Sequence, residues 1–276
     1  MVEEELPEKP LMEHVYDLLE TIRRILILHV VFILGLLFIP APNELPKSYD
    51  PLLFYAMNLT KGYMLDFDHN IFAYPFARLF GVNGTKVVLI AHGWFDSLTA
   101  SLYLAALITI AVLSPVTTLY IYRFIEPGLY SHERRILKKY IFIALGLFIS
   151  GLVYGFFVVM PIIFATGVWI ATLGGASLFF SIEEFYDNIF IGSLATGVFF
   201  MFPLAILILH KLGIVSYETL NSNWRVIVFA GYVFLALITP DPTPFSDLAL
   251  GVPFIFLYFF SMWLVKRSEN RKSNKS

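Results

Sequence analysis

Long apolar runs and short polar segments alternate along the sequence, and this pattern predicts an all-α polytopic membrane protein. A helix needs about 20 apolar residues to cross roughly 30 Å of hydrocarbon. Runs that meet or approach this length predict six transmembrane helices, at about 25–40, 98–121, 140–165, 188–210, 224–239 and 246–265. Because no soluble domain interrupts these runs, residues 1–276 are predicted to form a single membrane domain.

The polar segments on either side of the first apolar run differ in character. Residues 11–24 place apolar side chains at a helical period, with charged ones opposite, which predicts an amphipathic helix that leads into the first span. Residues 41–97 are mostly polar and contain several prolines, which predicts a long outward loop with short helices. Asn58 and Asn83 each begin an Asn-x-Thr triplet in this loop. Both are therefore candidate glycosylation sites in a host that glycosylates.

Prolines interrupt several of the predicted spans. Spans two, three, four and six each carry one within the span or near its end, at Pro115, Pro161, Pro203 and Pro253. A proline bends a helix because it removes a backbone hydrogen bond. The fifth apolar run is also short for a bilayer. Bent and short helices together favour a concave wall over a tight cylinder.

Composition indicates a membrane protein and excludes several functions. Hydrophobic residues make up 58% of the chain and charged residues only 14%, whereas soluble domains contain about 25% charged residues. The net charge of −2 argues against a nucleic-acid partner. The sequence has no cysteine, so disulfides, thiolate metal sites and thiol catalysis are excluded. The acidic N-terminus is unlike a secretory signal peptide, so the first span is expected to stay in the mature protein.

Basic residues are concentrated in alternate loops, and this predicts the orientation. Arginines and lysines cluster before span one, between residues 123 and 139, after span four and in the C-terminal tail. Cytoplasmic segments of membrane proteins carry such an excess. Both termini and the loop 124–135 are therefore predicted to be cytoplasmic, with the loop 41–97 on the outward side.

The loop 124–135 combines a helix break with a dense set of charges. A Pro-Gly pair ends the preceding helix, and basic residues surround Glu133. One interpretation is a topological anchor with no further role. Another is an acidic site in which Glu133, with Asp17 or Glu20, binds a guanidinium through paired, charge-assisted hydrogen bonds. Glu133 and Glu20 could instead pair with their own arginine neighbours, so the interpretations stay open at this point.

The sequence lacks the motifs of common catalytic sites. His132-Glu133-Arg134-Arg135 lacks the second histidine of a zinc helix, and neither a Gly-x-Ser-x-Gly elbow nor a phosphate loop is present. The middles of spans two to six contain almost no ionisable residue, although ion-coupled transporters need such groups there. The sequence therefore predicts a protein that is not an enzyme and binds no metal or cofactor. A small-molecule secondary transporter is the alternative function.

The loop and several other segments resemble the TatC family, the multispanning receptor subunit of the twin-arginine protein translocase. The strongest match is Phe124-Ile-x-Pro-Gly-Leu-Tyr130-x-His-Glu133-Arg134-Arg135. Further support comes from Ile238-Thr-Pro-Asp241 followed by Phe245-Ser246, from Pro75 before span two, and from Gly197-Val-x-Phe-x-x-Pro203 in span four. The similarity covers most of residues 12–266.

The resemblance implies a receptor that binds twin-arginine signal peptides of folded proteins and recruits single-span TatA/TatB-type subunits. Export in this family is driven by the proton gradient across the cytoplasmic membrane of a prokaryote. The chain is expected to be homo-oligomeric within a larger complex, with six spans, both termini inside and the lipid bilayer around it.

The resemblance also implies roles for individual residues. Glu133 and an acidic residue of the N-terminal segment are expected to recognise the arginine pair. Phe124, Tyr130 and Arg134 belong to the same loop site. Pro75 and Asp241 are implied on the outward side, in gating or assembly.

The chain departs from the family pattern in three places. Counting from His14 selects Asp17 as the second carboxylate, whereas counting back from the two following arginines selects Glu20. Met201 stands in span four where many relatives carry a polar residue. The outward segment 41–70 is longer than the family pattern and has no implied role.

Overall fold

A computed structural model describes residues 11–41, 51–128, 130–211, 213–238 and 244–273 of the chain, and most of them are helical. The described secondary structure is, in chain order, α1 (Leu11–Phe38), α2 (Leu52–Leu65), α3 (Tyr74–Phe80), β1 (Val88–Ile90), α4 (Asp96–Ile125), α5 (Ser131–Tyr154), α6 (Met160–Leu173), β2 (Phe179–Ser181), α7 (Ile182–Phe199), α8 (Phe202–Lys211), α9 (Tyr217–Ser222), α10 (Trp224–Ile238) and α11 (Pro244–Ser273). A 3₁₀ turn, Glu126–Gly128, follows α4, and a π-helical turn, Gly155–Val159, joins α5 to α6.

Within the described residues, five helical segments are long and apolar enough to cross a bilayer. They are Met12–Phe38, Asp96–Gly128, Leu137–Leu173, Ile182–Lys211 and Leu248–Arg267. A further apolar segment, Trp224–Val233 in α10, is shorter. It lies in the fifth predicted span, which the sequence already indicates is short for a bilayer.

Two of the long segments are interrupted just before a proline. The π-helical turn precedes Pro161 at the start of α6, and the break between α7 and α8 precedes Pro203. A proline has no backbone N–H, and its ring clashes with the carbonyl four residues earlier, so the preceding hydrogen bonds must rearrange. Pro115 and Pro253 lie inside α4 and α11, which continue as α-helices through them.

A short parallel sheet adds β-structure that the all-α prediction lacked. β1 pairs with β2 in parallel, with Val88 opposite Phe179 and Leu89 opposite Phe180. The backbone N–H of Val88 also donates to the Leu178 carbonyl oxygen at 3.0 Å. The pairing joins the segment before α4 to the segment before α7, so the N-terminal ends of both helices lie close to this two-stranded sheet.

Small residues and one buried tyrosine fix the closest helix contacts. A Cβ added at Gly155 would lie 2.9 Å from the Cα atom of Ser193 on α7, so only glycine lets the two backbones approach this far. Tyr186 on α7 is 1% exposed, and its hydroxyl donates to the Met57 carbonyl oxygen of α2 at 2.7 Å. This bond ties α2 to the helical core.

The last helices of the chain form a second packed cluster. Tyr258 of α11 is fully buried, and its hydroxyl donates to the Leu220 carbonyl oxygen of α9 at 2.8 Å. Ile206 of α8 and Met262 of α11 pack beside it. The short helix α9 is thereby held against the C-terminal half of α11.

Candidate functional site

The loop between α4 and α5 is held to the end of α4 by a side-chain hydrogen bond. The Tyr122 hydroxyl donates to Oε1 of Glu126, 3.1 Å away. Glu126 begins the 3₁₀ turn that follows α4. Sequence reasoning passed over Glu126, although the four-residue spacing from Tyr122 is the spacing at which helical side chains meet.

The predicted loop residues lie in different surroundings. Phe124 is half-buried at the end of α4, whereas Tyr130 and Arg134 are exposed. The backbone N–H of Arg134 donates to the Tyr130 carbonyl oxygen at 3.0 Å, in the first turn of α5. Glu133 belongs to the same turn, and its side chain lies outside the part of the chain that the structure describes.

α1 lies antiparallel to α4. This arrangement decides how far along the helix axes the acidic residues of α1 lie relative to the loop, a position that we call their height. Ile33 and Leu36 near the C-terminal end of α1 pack against the core cluster that contains Leu104 of α4. Further toward the N-terminus of α1, His29 lines the same pocket as Thr117. Lower residue numbers on α1 therefore lie beside higher numbers on α4.

Helical rise places Asp17 and Glu20 near the height of the loop. Glu20 lies nine residues before His29, and Glu126 lies nine residues after Thr117. Nine residues of α-helix extend about 14 Å, so Glu20 and Glu126 are at similar heights. Asp17 is almost one turn further along α1, level with the residues between Glu126 and the start of α5.

Only one of these two carboxylates lies on the half-buried side of α1. Asp17, Ile25 and His29 are separated by multiples of four residues and are all half-buried, so they form one stripe of the helix. Glu20 is exposed and lies off this stripe. Its Oε1 accepts a hydrogen bond from Nη2 of Arg24 at 2.6 Å. Asp17 is thus on the half-buried side of α1, whereas Glu20 is on its exposed side.

The other predicted site residues do not approach the loop in the described structure. Pro75 lies in the first turn of α3 and is exposed. Asn58 on α2 and Asn83 after α3 are also exposed. Asp241 lies outside the described residues.

A pocket of about 260 Å³ with several polar groups in its lining lies beside α1, between α4 and α5. His29, Ser114 and Thr117 line it, and Met201 lies at its wall. Nδ1 of His29 donates to the Ile25 carbonyl oxygen at 2.8 Å, because a carbonyl can only accept. Oγ1 of Thr117 is buried and has no hydrogen-bond partner among the described residues. Sequence reasoning missed this pocket because its polar groups come from separate helices.

An acidic pocket lies beside the start of α4. Glu183, Glu184 and Asp187 of α7 line it together with Asp96. Oδ2 of Asp96 accepts from the backbone N–H groups of residues 92 and 93, at 2.7 and 2.8 Å. Across the described ranges, no group of three or more histidine, aspartate or glutamate side chains is arranged to hold a metal ion.

Comparison with known proteins identifies the family of the chain. The family model described as "Sec-independent protein translocase protein (TatC)" matches residues 13–253. The chain belongs to the TatC family. This confirms the resemblance that the loop motif indicated.

Individual TatC proteins show the same relationship over part of their length. The chain is 31% identical over 202 residues to the Sec-independent protein translocase protein TatC of Frankia casuarinae, a match that covers 71% of this chain and 54% of that protein. It is 31% identical over 188 residues to a tatC-like protein of Cyanidium caldarium, covering 66% of this chain and 75% of that one. The chloroplastic TATC of Arabidopsis thaliana is 31% identical over 185 residues, which is 53% of its length. The chain thus spans about half the length of two of these three TatC relatives.

The fold agrees with a solved TatC structure. A crystal structure of the twin-arginine translocase receptor TatC matches with a TM-score of 0.61 and 22% identity, covering 93% of this chain and 99% of that chain. Together with the long apolar helices, this confirms the predicted class of helical, polytopic membrane protein.

Proposed function

We propose that this chain is the receptor subunit of a twin-arginine protein translocase in the cytoplasmic membrane of a prokaryote. In this proposal it binds twin-arginine signal peptides of folded cargo, recruits single-span TatA/TatB-type subunits and has no active site of its own. The chain crosses the membrane six times with both termini inside. The short helix α10 makes the fifth crossing where the bilayer thins around it.

The observation that carries the proposal is the shared height of Asp17 and the α4–α5 loop. Asp17 is on the half-buried side of α1, and the loop leads into the first turn of α5, which contains Glu133. In this proposal the carboxylates of both residues accept hydrogen bonds from two guanidinium groups. Arginine binds carboxylates through two parallel hydrogen bonds, which lysine cannot do.

Asp17 is the better second carboxylate in this proposal. Glu20 lies on the exposed side of α1, whereas Asp17 lies on its half-buried side. Helical rise places Asp17 level with the α4–α5 loop. Phe124 and Tyr130 support the loop, and Arg134 places positive charge beside Glu133.

Outward residues have a separate role in the proposal. Pro75 starts α3 with its φ angle already suited to a helix, and Asp241 follows the fifth apolar helix. We assign both to gating or assembly on the outward side.

An apolar groove suits a single-span partner helix. The groove lies between α7–α8 and α10–α11 and has a volume of about 650 Å³. Phe199, Phe202 and Phe254 line it together with Gly231. Helices associate in membranes by close packing against small and apolar side chains, so a partner with an apolar helix can bind here.

The test is binding of a twin-arginine signal peptide to the purified protein in detergent. The lysine–lysine version of the peptide is expected to bind at least tenfold more weakly, which corresponds to about 1.4 kcal/mol. Glu133→Gln and Asp17→Asn are each expected to weaken binding of the arginine peptide at least tenfold, because each removes one charged acceptor.

Glu20→Gln is the matched control, since it removes an equal charge from the same helix. It is expected to change the affinity less than threefold. Equal losses in Glu20→Gln and Asp17→Asn would contradict the choice of Asp17, and unchanged binding in Glu133→Gln would contradict the loop site altogether.

The pocket at His29 favours a second candidate, small-molecule secondary transport. It offers polar groups within the apolar part of the helices, which a transporter needs. This candidate predicts substrate uptake into vesicles that contain this protein alone. Replacement of His29 with leucine would abolish that uptake and leave signal-peptide binding unchanged.

A further inference from the structure

Four cationic side chains at one end of the described helices each lie over an aromatic ring. The pairs are Lys211 Nζ over Tyr140 at 4.5 Å, Arg225 Cζ over Trp224 at 5.5 Å, Lys266 Nζ over Tyr217 at 5.2 Å and Arg267 Cζ over Trp263 at 5.3 Å from the ring centroids. A cation within about 6 Å of a ring centroid is attracted to the face of the ring. We call these four pairs the cation–aromatic belt.

Packing of the last four helices brings the belt to one end of the molecule. The bond from Tyr258 to Leu220 holds α9 against α11. The ring of Trp224, at the start of α10, lies 6.1 Å from that of Phe259 on α11. The end of α8, all of α9, the start of α10 and the end of α11 therefore share this end, where α5 also begins.

The belt lies at the edge of the apolar segments. One candidate span ends at Lys211, another ends at Arg267, and the short apolar helix begins at Trp224. Trp224 and Trp263 are 39% and 51% exposed, so their rings are available to lipid. Tryptophan and tyrosine concentrate at this depth in membrane proteins because one part of the ring system is apolar and another is polar.

The cations of the belt have no carboxylate partner among the described residues. The ion pairs there are Arg24 with Glu20 and His69 with Asp66. All four belt cations are exposed. Among the described residues, only the rings beneath these cations compensate their positive charge.

We propose that the cation–aromatic belt is a binding surface for anionic phospholipid headgroups. The rings hold the cations at the depth of the lipid phosphates, and the unpaired charges attract a leaflet that carries negative charge. Lipids of this kind surround the belt at high local concentration, whereas a soluble anion has no apolar part to contact Trp224 and Trp263. The surface is separate from the proposed peptide site, so either proposal can fail alone.

The test measures the selectivity of the protein for a spin-labelled phosphatidylglycerol over a spin-labelled phosphatidylcholine in phosphatidylcholine vesicles. The wild-type protein is expected to prefer phosphatidylglycerol. A belt variant, Lys211→Gln with Lys266→Gln and Arg267→Gln, is expected to show a preference for phosphatidylglycerol that is at least fivefold weaker. A fivefold change is about the contribution of one interfacial cation to the binding of anionic lipid.

A matched control removes an equal number of positive charges from residues outside the belt. Lys61→Gln with Arg78→Gln and Lys86→Gln also replaces two lysines and one arginine at exposed positions. It is expected to keep the wild-type preference. If both triple variants lose selectivity equally, or if neither does, the belt is not a headgroup site.

A further variant separates the rings from the charge. Trp263→Leu keeps every cation but removes the ring under Arg267, and we expect about a twofold loss of selectivity. Unchanged selectivity in this variant would overturn the role of the rings.

If the thermal midpoint of the triple variant in detergent falls, single substitutions of Lys211, Lys266 and Arg267 replace it. Unchanged lipid selectivity in all three single variants would overturn the proposal. If the belt instead binds an acidic partner protein, every belt variant keeps the lipid selectivity of the wild-type protein.

Discussion

Asn70 shows how a single polar side chain organises the connection between α2 and α3. It is 4% exposed. Its Nδ2 donates to the Tyr63 carbonyl oxygen at 2.9 Å, and its Oδ1 accepts from the backbone N–H groups of Phe72 and Ala73 at 3.0 and 3.1 Å. The side chain thus joins the end of α2 to the start of α3, and asparagine suits this place because it both donates and accepts.

The neighbouring pair Asp66 and His69 predicts a pH dependence. Nδ1 of His69 donates to Oδ1 of Asp66 at 2.9 Å. This side-chain hydrogen bond is the main reason that the pKa of Asp66 is lowered from 3.8 and the pKa of His69 is raised from 6.5. The stability that the pair contributes is fully present between these two ordinary values. It is lost as the pH rises through the folded pKa of His69 and as it falls through the folded pKa of Asp66.

We therefore expect His69→Gln to lower the thermal midpoint more at about pH 5.5 than at about pH 9. The measurement is thermal unfolding of the detergent-solubilised protein and of the variant at both pH values. A difference that is the same at both values would contradict the prediction. Both side chains are largely exposed, so the effect is expected to be small.

At the scale of the elements, glycines on α5 decide how closely it approaches α7. A Cβ at Gly151 would lie 2.6 Å from Cβ of Phe200 and 2.7 Å from the Thr196 backbone oxygen. A backbone atom cannot move aside as a flexible side chain can. On the same helix, a Cβ at Gly146 would meet nothing within 4 Å.

Gly151→Ala is accordingly expected to destabilise the protein by about 1–3 kcal/mol, the usual cost of overpacking. Gly146→Ala, the control on the same helix, is expected to be neutral or slightly stabilising because alanine favours the helix. Unfolding midpoints in detergent measure both. Equal midpoints for the two variants would contradict the close contact between α5 and α7.

At the scale of the whole molecule, the proposed orientation assigns each end to one side of the membrane. The distribution of arginine and lysine predicts that the end with the α4–α5 loop and α9 is cytoplasmic. Because the chain has no cysteine, single cysteines can report this directly. Ser177 and Ser222 are both exposed and lie near opposite ends of the helices.

We expect a membrane-impermeant maleimide to label Ser177→Cys in intact cells. Ser222→Cys is expected to react only after the membrane is opened. The reverse labelling would contradict the orientation, and with it the cytoplasmic placement of Glu133. The unmodified protein, which has no cysteine, gives the background level of labelling.

Local sequence patterns were enough to identify a helical membrane protein of the TatC family. Apolar runs of spanning length have few structural alternatives in a bilayer, because every backbone group must bond within its own segment. The loop around Glu133 was specific enough to indicate the family. Both conclusions depend on local sequence, which needs no knowledge of packing.

The tertiary structure decided which residues of different helices lie together. Pairing of β1 with β2 could not be predicted, because two three-residue strands far apart in sequence carry almost no local signal. The proposed preference for Asp17 over Glu20 depends on which side of α1 is half-buried, and it stays a prediction for the binding measurements. The pocket around His29 and the unpaired cations of the belt likewise follow from packing, since residues distant in the sequence meet there only after the helices have assembled.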